Sequence, residues 1–186
     1  IARELGVELK LIHHERPTRS CIEKLDLLKE SPLFENWTLD RIVKALYFQR
    51  NDHPFIGVIT PELGKNIKPE NIFPEVFYRK SLSRDFFPKK SMSCSQARRY
   101  WVNPNNVPIG MSFGTCTPFP LESTMESEIS DLIFIDSPAI NDELVDISIG
   151  GSSREMFQTS MHLPYIAIYN ILRKKFGEKV HLYQTI

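Results

Sequence analysis

The chain has 186 residues, 41% hydrophobic and 25% charged, which suits one domain with a sizeable core and leaves a second one cramped. Its 23 Lys and Arg balance 23 Asp and Glu, so no overall charge draws it to nucleic acid or an anionic membrane. No apolar run reaches the length of a bilayer span, and the three scattered cysteines and five scattered histidines form no zinc, redox or disulfide motif.

Ile1 to Leu5 reads as the end of a helix closed by Gly6, with no secretory-signal pattern, and reduced thiols in a cytoplasmic protein are expected. Val7 to His13 alternates like a half-buried strand, which Pro17 breaks. Ser20-Cys21-Ile22-Glu23 has capping-box form, so a helix starts near residue 20, with Ile22, Leu25 and Leu28 as its apolar stripe up to Ser31-Pro32.

Ile42 to Phe48 and Phe55 to Thr60 are β-rich runs joined by a polar stretch, the pattern of a hairpin. Its first strand holds Lys44 between Val43 and Ala45, with Ile42, Leu46 and Phe48 on the lysine's own face. A charged amine among such neighbours is costly unless an anion meets it, which marks Lys44 as a candidate ligand-facing group. The bland alternative is a snorkelling side chain.

Residues 61 to 107 read as a mostly loop-like stretch, with a short helix after Pro69, a strand at 75 to 78, a short helix capped by Ser93 or Ser95 up to Trp101, and an irregular Asn/Pro-rich end. Between Arg79 and Arg99 seven Lys and Arg face one acid, Asp85, with aromatics interleaved, whereas Glu122 to Asp146 carries eight acids and no Lys or Arg. A basic, aromatic segment of this kind can track phosphates and stack bases, or be a solvated loop whose aromatics return to the core.

Gly114-Thr115-Cys116-Thr117-Pro118 is a turn-forming pentapeptide, and strands are predicted over 131 to 136 and 144 to 149. Asp136 reads as an exposed carboxylate at a strand end. Gly150-Gly151-Ser152 allows a close backbone turn, and 156 to 159 is free to pair beside the last strand. Ser160 is expected to cap a final helix from Met161 to Lys175, with Pro164 in its first turn. Strands and helices mix without strict alternation, which favours an α+β class with a mixed or partly barrel-like sheet flanked by helices.

This order of elements, with Ile42-Val43-Lys44-Ala45-Leu46, then Gly114-Thr115-Cys116-Thr117-Pro118, then Ile149-Gly150-Gly151-Ser152, resembles the YbaK/prolyl-tRNA-synthetase-associated editing domains over roughly residues 1 to 172. Ala45 stands where members usually carry Thr, and Ile149 where cysteine-type members tend to carry Ser. The resemblance implies one editing-type domain across 1–186, without a cofactor or a metal. Its implied activity is hydrolysis of mischarged tRNA, Ala-tRNA(Pro) or Cys-tRNA(Pro), in translation quality control.

On the family pattern Lys44 holds the phosphate or ester end of the terminal adenosine. Backbone amides of Gly114 to Pro118 orient the aminoacyl carbonyl, Gly150, Gly151 and Ser152 let backbone approach the substrate, and Ser20 and Cys21 wall the pocket. The stretch from 61 to 107 is longer than is typical of the family, and in this inserted basic region Lys89, Lys90, Arg98 and Arg99 are expected to contact the acceptor stem. The implied partners are aminoacylated tRNA and prolyl-tRNA synthetase. Two other readings stand beside the deacylase: a non-catalytic module binding tRNA or a synthetase, and a thiol hydrolase using Cys116.

Overall fold

Among the described residues, hydrophobic runs interrupted by capped turns lay down a mixed sheet with one α-helix against each face. A computed structural model of the chain describes residues 1–16, 18, 20–48, 55–62, 117–119, 129–149 and 158–184, the side chains of 47, 48, 55 and 56 excepted. The described strands are β1 (Lys10–His13), β2 (Ile42–Phe48), β3 (Phe55–Pro61), β4 (Ile129–Asp136), β5 (Leu144–Ser148), β6 (Thr159–Pro164) and β7 (Val180–Gln184). The described α-helices are α1 (Cys21–Lys29) and α2 (Tyr165–Phe176). Strand order across the sheet is β1-β6-β5-β2-β3-β4-β7. The pairs β1/β6, β5/β6 and β2/β3 are antiparallel, while β2/β5, β3/β4 and β4/β7 are parallel. This is an α+β fold, and β1 and β7 leave the described sheet open at its two edges.

Alternation along β2 sends Val43 and Ala45 to one face and Ile42 and Lys44 to the other. The first face carries the main core, where Val43, Ala45, Ile59, Phe134, Val145 and Leu163 meet Ala167, Ile168, Ile171 and Leu172 of α2. Each Leu or Ile so buried contributes about 1.5–3 kcal/mol. The second face is covered by α1 and the segment after it, with Leu28, Trp37 and Ile42 packed together beside Cys21, Leu25 and Phe34. Because β2 is covered on both sides, Ile42 shares a face with a charged residue without being exposed.

The capping box forms as its sequence predicts: the backbone N–H of Glu23 donates to Ser20 Oγ at 3.1 Å. The expected stripe holds only in part, however. Leu25 and Leu28 turn inward as expected, but Ile22 is exposed and Cys21 packs inward in its place. The N-terminal helix is a single 3₁₀ turn, Arg3–Leu5, ended by Gly6 at φ 68°, and the first strand begins only at Lys10.

The largest departure is at the C-terminal helix. Ser160 to His162, expected as its cap and first turn, belong to β6, and α2 begins at Tyr165 after Pro164. Proline restrains the residue before it to extended backbone, which suits a strand running up to Pro164. The first free N–H groups of α2 find partners in the β4–β5 turn, Tyr165 N to Glu143 O at 3.0 Å and Ile166 N to Asn141 O at 2.9 Å, so no serine cap is needed. The strand β7 was not anticipated at all. The expected elements between 63 and 116 lie outside the described residues.

Candidate functional site

Lys44 stands on the α1 face of β2, opposite Thr60 of β3. Its ammonium forms an ion pair with Glu62, the residue after β3, whose backbone N–H donates to Ile42 O at 2.8 Å and so carries the ladder one step further. The lysine side chain is 36% exposed and the glutamate 14%. The anion that the sequence required near this amine is therefore present within the fold.

The Cys21 thiol, in the first turn of α1, hydrogen-bonds the same Glu62 carboxylate. Burial pushes the thiol up to about 11, the carboxylate adds to that, and the positive charges of Lys44 and Lys24 oppose it. A thiol of this kind is protonated at neutral pH and is a weak nucleophile.

One turn along α1, Lys24 enters a second polar cluster on the same face. Its Nζ lies 2.6 Å from Oδ1 of Asp146, a residue with no exposed surface. His162 Nε2 donates to Asp146 Oδ2 at 3.0 Å, and Ser160 Oγ donates to that oxygen as well. Since the serine proton is committed to the carboxylate, His14 Nε2, 2.8 Å from Ser160 Oγ, must be the donor of that contact.

Burial alone would raise the Asp146 carboxyl, but Lys24 and the bonds from His162, Lys24 and Ser160 outweigh it and hold the group below the usual carboxylate range. Burial drives His14 the other way, down to about 4, against the pull of Asp146 and with help from Lys24, His162 and His13. Phe34 and Trp37 close over the His162 ring, with centroids at 5.3 and 5.0 Å.

Serine, histidine and aspartate are in contact here, yet the arrangement lacks the features of a hydrolytic triad. Ser160 gives its proton to the carboxylate and not to an imidazole, and it is fully buried. Ser160 and Asp146 together link β5 and β6 to α1 through Lys24 and to the residue after β1 through His14. Asp146 and His162 face each other across β5 and β6, and Asp146 also neighbours Ile42 on β2, so both polar clusters share one stretch of sheet.

Of the residues singled out from sequence, the structure brings Lys44 and Cys21 together, with Ser20 capping the helix that carries Cys21. Thr117 and Pro118 are buried, and Thr117 Oγ1 accepts from Phe119 N at 3.1 Å. Asp136 is half-buried and accepts from Asn141 Nδ2 at 2.9 Å. Gly114, Thr115, Cys116, Gly150, Gly151, Ser152, Lys89, Lys90, Arg98 and Arg99 lie outside the described residues. Glu62, Lys24, His14, Asp146, Ser160 and His162 were missed. The signal available for the last two was the alternation Ser160-Met161-His162-Leu163, a strand pattern that a serine ahead of a helix concealed.

Among the described residues no three His, Cys, Asp or Glu side chains are arranged to hold a metal ion, and no helix is long and apolar enough to cross a membrane. No family model and no curated protein matches the chain. Among solved structures it is similar to the crystal structure of hypothetical protein APE2540, at 17% identity and a TM-score of 0.55, over 97% of this chain and 93% of that one. That likeness extends along nearly the whole chain and concerns the fold.

Proposed function

We propose that this chain is an aminoacyl-tRNA deacylase that removes alanine or cysteine wrongly attached to tRNA for proline, in the cytoplasm where tRNA is charged. The observation that carries the reading is the Lys44 ammonium, half-buried on a sheet face beneath the first turn of α1 and held by Glu62 beside Cys21. A lysine fixed in this way offers a positioned cation to the phosphate of a terminal nucleotide. Aminoacyl esters are already activated, so holding the ester and a water in reacting geometry is the main task. Lys44 does the holding.

The state of Cys21 supports water, or the substrate's own groups, as the attacking species. A protonated thiol bonded to a carboxylate does not compete as nucleophile at neutral pH. In this reading the basic segment with Lys89, Lys90, Arg98 and Arg99 adds affinity for the acceptor stem, and prolyl-tRNA synthetase is a natural source of the mischarged substrate.

The test is deacylation of a small panel of mischarged tRNAs by the chain and by Lys44→Ala. Release of alanine or cysteine that falls roughly a hundredfold in the variant is the expected result. Binding of tRNA without turnover would replace the deacylase by a non-catalytic module. Turnover spared by Lys44→Ala and abolished by Cys116→Ser would replace it by a thiol hydrolase.

A further inference from the structure

Among the described residues no strand pairs with the outer edge of β1, and the hydrogen-bonding parity of that edge is fixed. His14 N donates to Gln158 O at 2.6 Å, in line with the register that sets Lys10 against His162 and Ile12 against Ser160. The even-numbered residues therefore direct their backbone groups to β6, and the N–H and C=O groups of Leu9 and Leu11 point outward.

The side chains on this edge divide by face. Lys10 and Ile12 stand opposite His162 and Ser160 on the α1 face, while Leu11 stands opposite Met161 of the main core, against which Val7 also packs. Leu9 lies between them by alternation and continues the apolar line outward, with Leu9 42% exposed and Leu11 67%. Glu8 and Lys10 form an ion pair at 3.7 Å, which places them on one side together, and both are more than half exposed.

A lone lysine on an edge strand repels a further strand. Here a glutamate answers it two residues earlier, so the edge is neutral and complementary to its own reverse. In an antiparallel pair centred on Leu9, each Glu8 meets the Lys10 of the other copy, Leu9 meets Leu9, and Val7 meets Leu11. Backbone parity agrees with that register. The two Leu9 residues exchange N–H···O bonds through their outward groups, and Glu8 and Lys10 fall at the closer, non-hydrogen-bonded positions, about 4.5 Å apart between Cα atoms. Moving the centre by one residue sets Glu8 against Glu8 or Lys10 against Lys10.

We propose that the β1 edge joins two copies of this chain, antiparallel across a two-fold axis at Leu9, into one continuous sheet. The axis runs through the sheet, so the two α2 faces lie on the same side and the main cores meet through Val7, Leu9 and Leu11. The inference does not depend on the deacylase reading, because Lys44 belongs to β2, three strands in from this edge.

A strand edge with a short apolar line is a small interface, so association belongs in the micromolar to millimolar range. Sedimentation of the full chain across that range should show a mass that rises to twice that of one chain. Glu8→Lys and Lys10→Glu should each weaken association at least about tenfold, since both symmetry-related pairs turn from attraction to repulsion. Mixing the two variants in equal amounts should restore the dimer, because one then offers a lysine at both positions and the other a glutamate at both. A misfolded variant could not be rescued in this way.

A chain that stays monomeric up to millimolar concentration overturns the inference. So does a dimer that both single variants leave intact, or single variants that remain monomeric when mixed. Protection of the Leu9 and Leu11 amides from hydrogen exchange in the monomer would overturn it as well, by showing that the chain closes this edge itself.

Discussion

The Lys24 ammonium stands 2.6 Å from the Asp146 carboxylate, and this ion pair ties α1 to β5 on the sheet face that carries the proposed site. Both side chains are largely withdrawn from water, at 15% and 0% exposure. Breaking such a pair from one side strands the other charge, at a cost of about 3–5 kcal/mol. Asp146→Asn and Lys24→Met should each destabilise the chain on that scale in urea denaturation. The double variant Lys24→Met/Asp146→Leu should recover more than half the loss, because no charge is left stranded. Strictly additive losses would mean that the two groups do not depend on each other.

His14 makes the same cluster acid-sensitive. It faces Lys24 of α1, Asp146 of β5, and Ser160 and His162 of β6, with His13 beside it, and its folded-state value is down at about 4. Between about 6.5 and 4 the unfolded chain binds a proton at this position that the folded chain refuses. Stability is therefore complete above about pH 6.5 and falls as pH drops toward 4, by roughly 2–3 kcal/mol. The depressed Asp146 adds a loss of the same sign at still lower pH. Denaturation midpoints at pH 7.5 and 4.5 should differ accordingly, and His14→Gln should narrow the gap. An unchanged gap in the variant would assign the acid sensitivity elsewhere.

Tyr165 anchors the start of α2 on the other face. Its hydroxyl donates to Ile135 O at 2.6 Å, and its ring lies 4.5 Å from that of Phe134. Burial, with Asp136 nearby, raises the phenol well above its ordinary value, so it stays a donor throughout the working range. Tyr165→Phe keeps the ring and leaves a carbonyl unpaired, which should cost about 1–3 kcal/mol in thermal or urea unfolding. A loss below a few tenths would show that the carbonyl finds another partner.

What could be read directly from the residues was local. Ser20 and Glu23 meet within one turn, and the β2–β3 hairpin follows from two adjacent β-rich runs, so neither depends on distant contacts. Lys44 was conspicuous because a charge among Ile42, Val43 and Ala45 needs an anion. Which anion was not legible, since Glu62 arrives through strand pairing. Nothing in the sequence singled out Lys24, and Asp146 was one more member of an acidic run. Only the fold makes each the other's counter-ion. His162 was assigned to a helix because serine before a helical pattern is also a cap signal. A four-residue alternation is too short to overrule that signal without its partner strand.

Cys21 offers the most direct chemical check on the state of the site. With its thiol pushed up to about 11 by burial and by Glu62, the thiolate fraction at pH 8 is roughly a hundredfold below that of an ordinary cysteine. Iodoacetamide labelling followed by peptide mapping should therefore find Cys21 alkylated slower than a free thiol by at least that factor. Lys44 lowers the thiol and Glu62 raises it, so the two variants should separate in opposite directions. Glu62→Gln should speed labelling, and Lys44→Ala should slow it further. Burial alone predicts that both variants label like the unaltered chain. Rapid alkylation of the unaltered chain would show an ionised thiol at the first turn of α1, and would bring a covalent mechanism back into consideration.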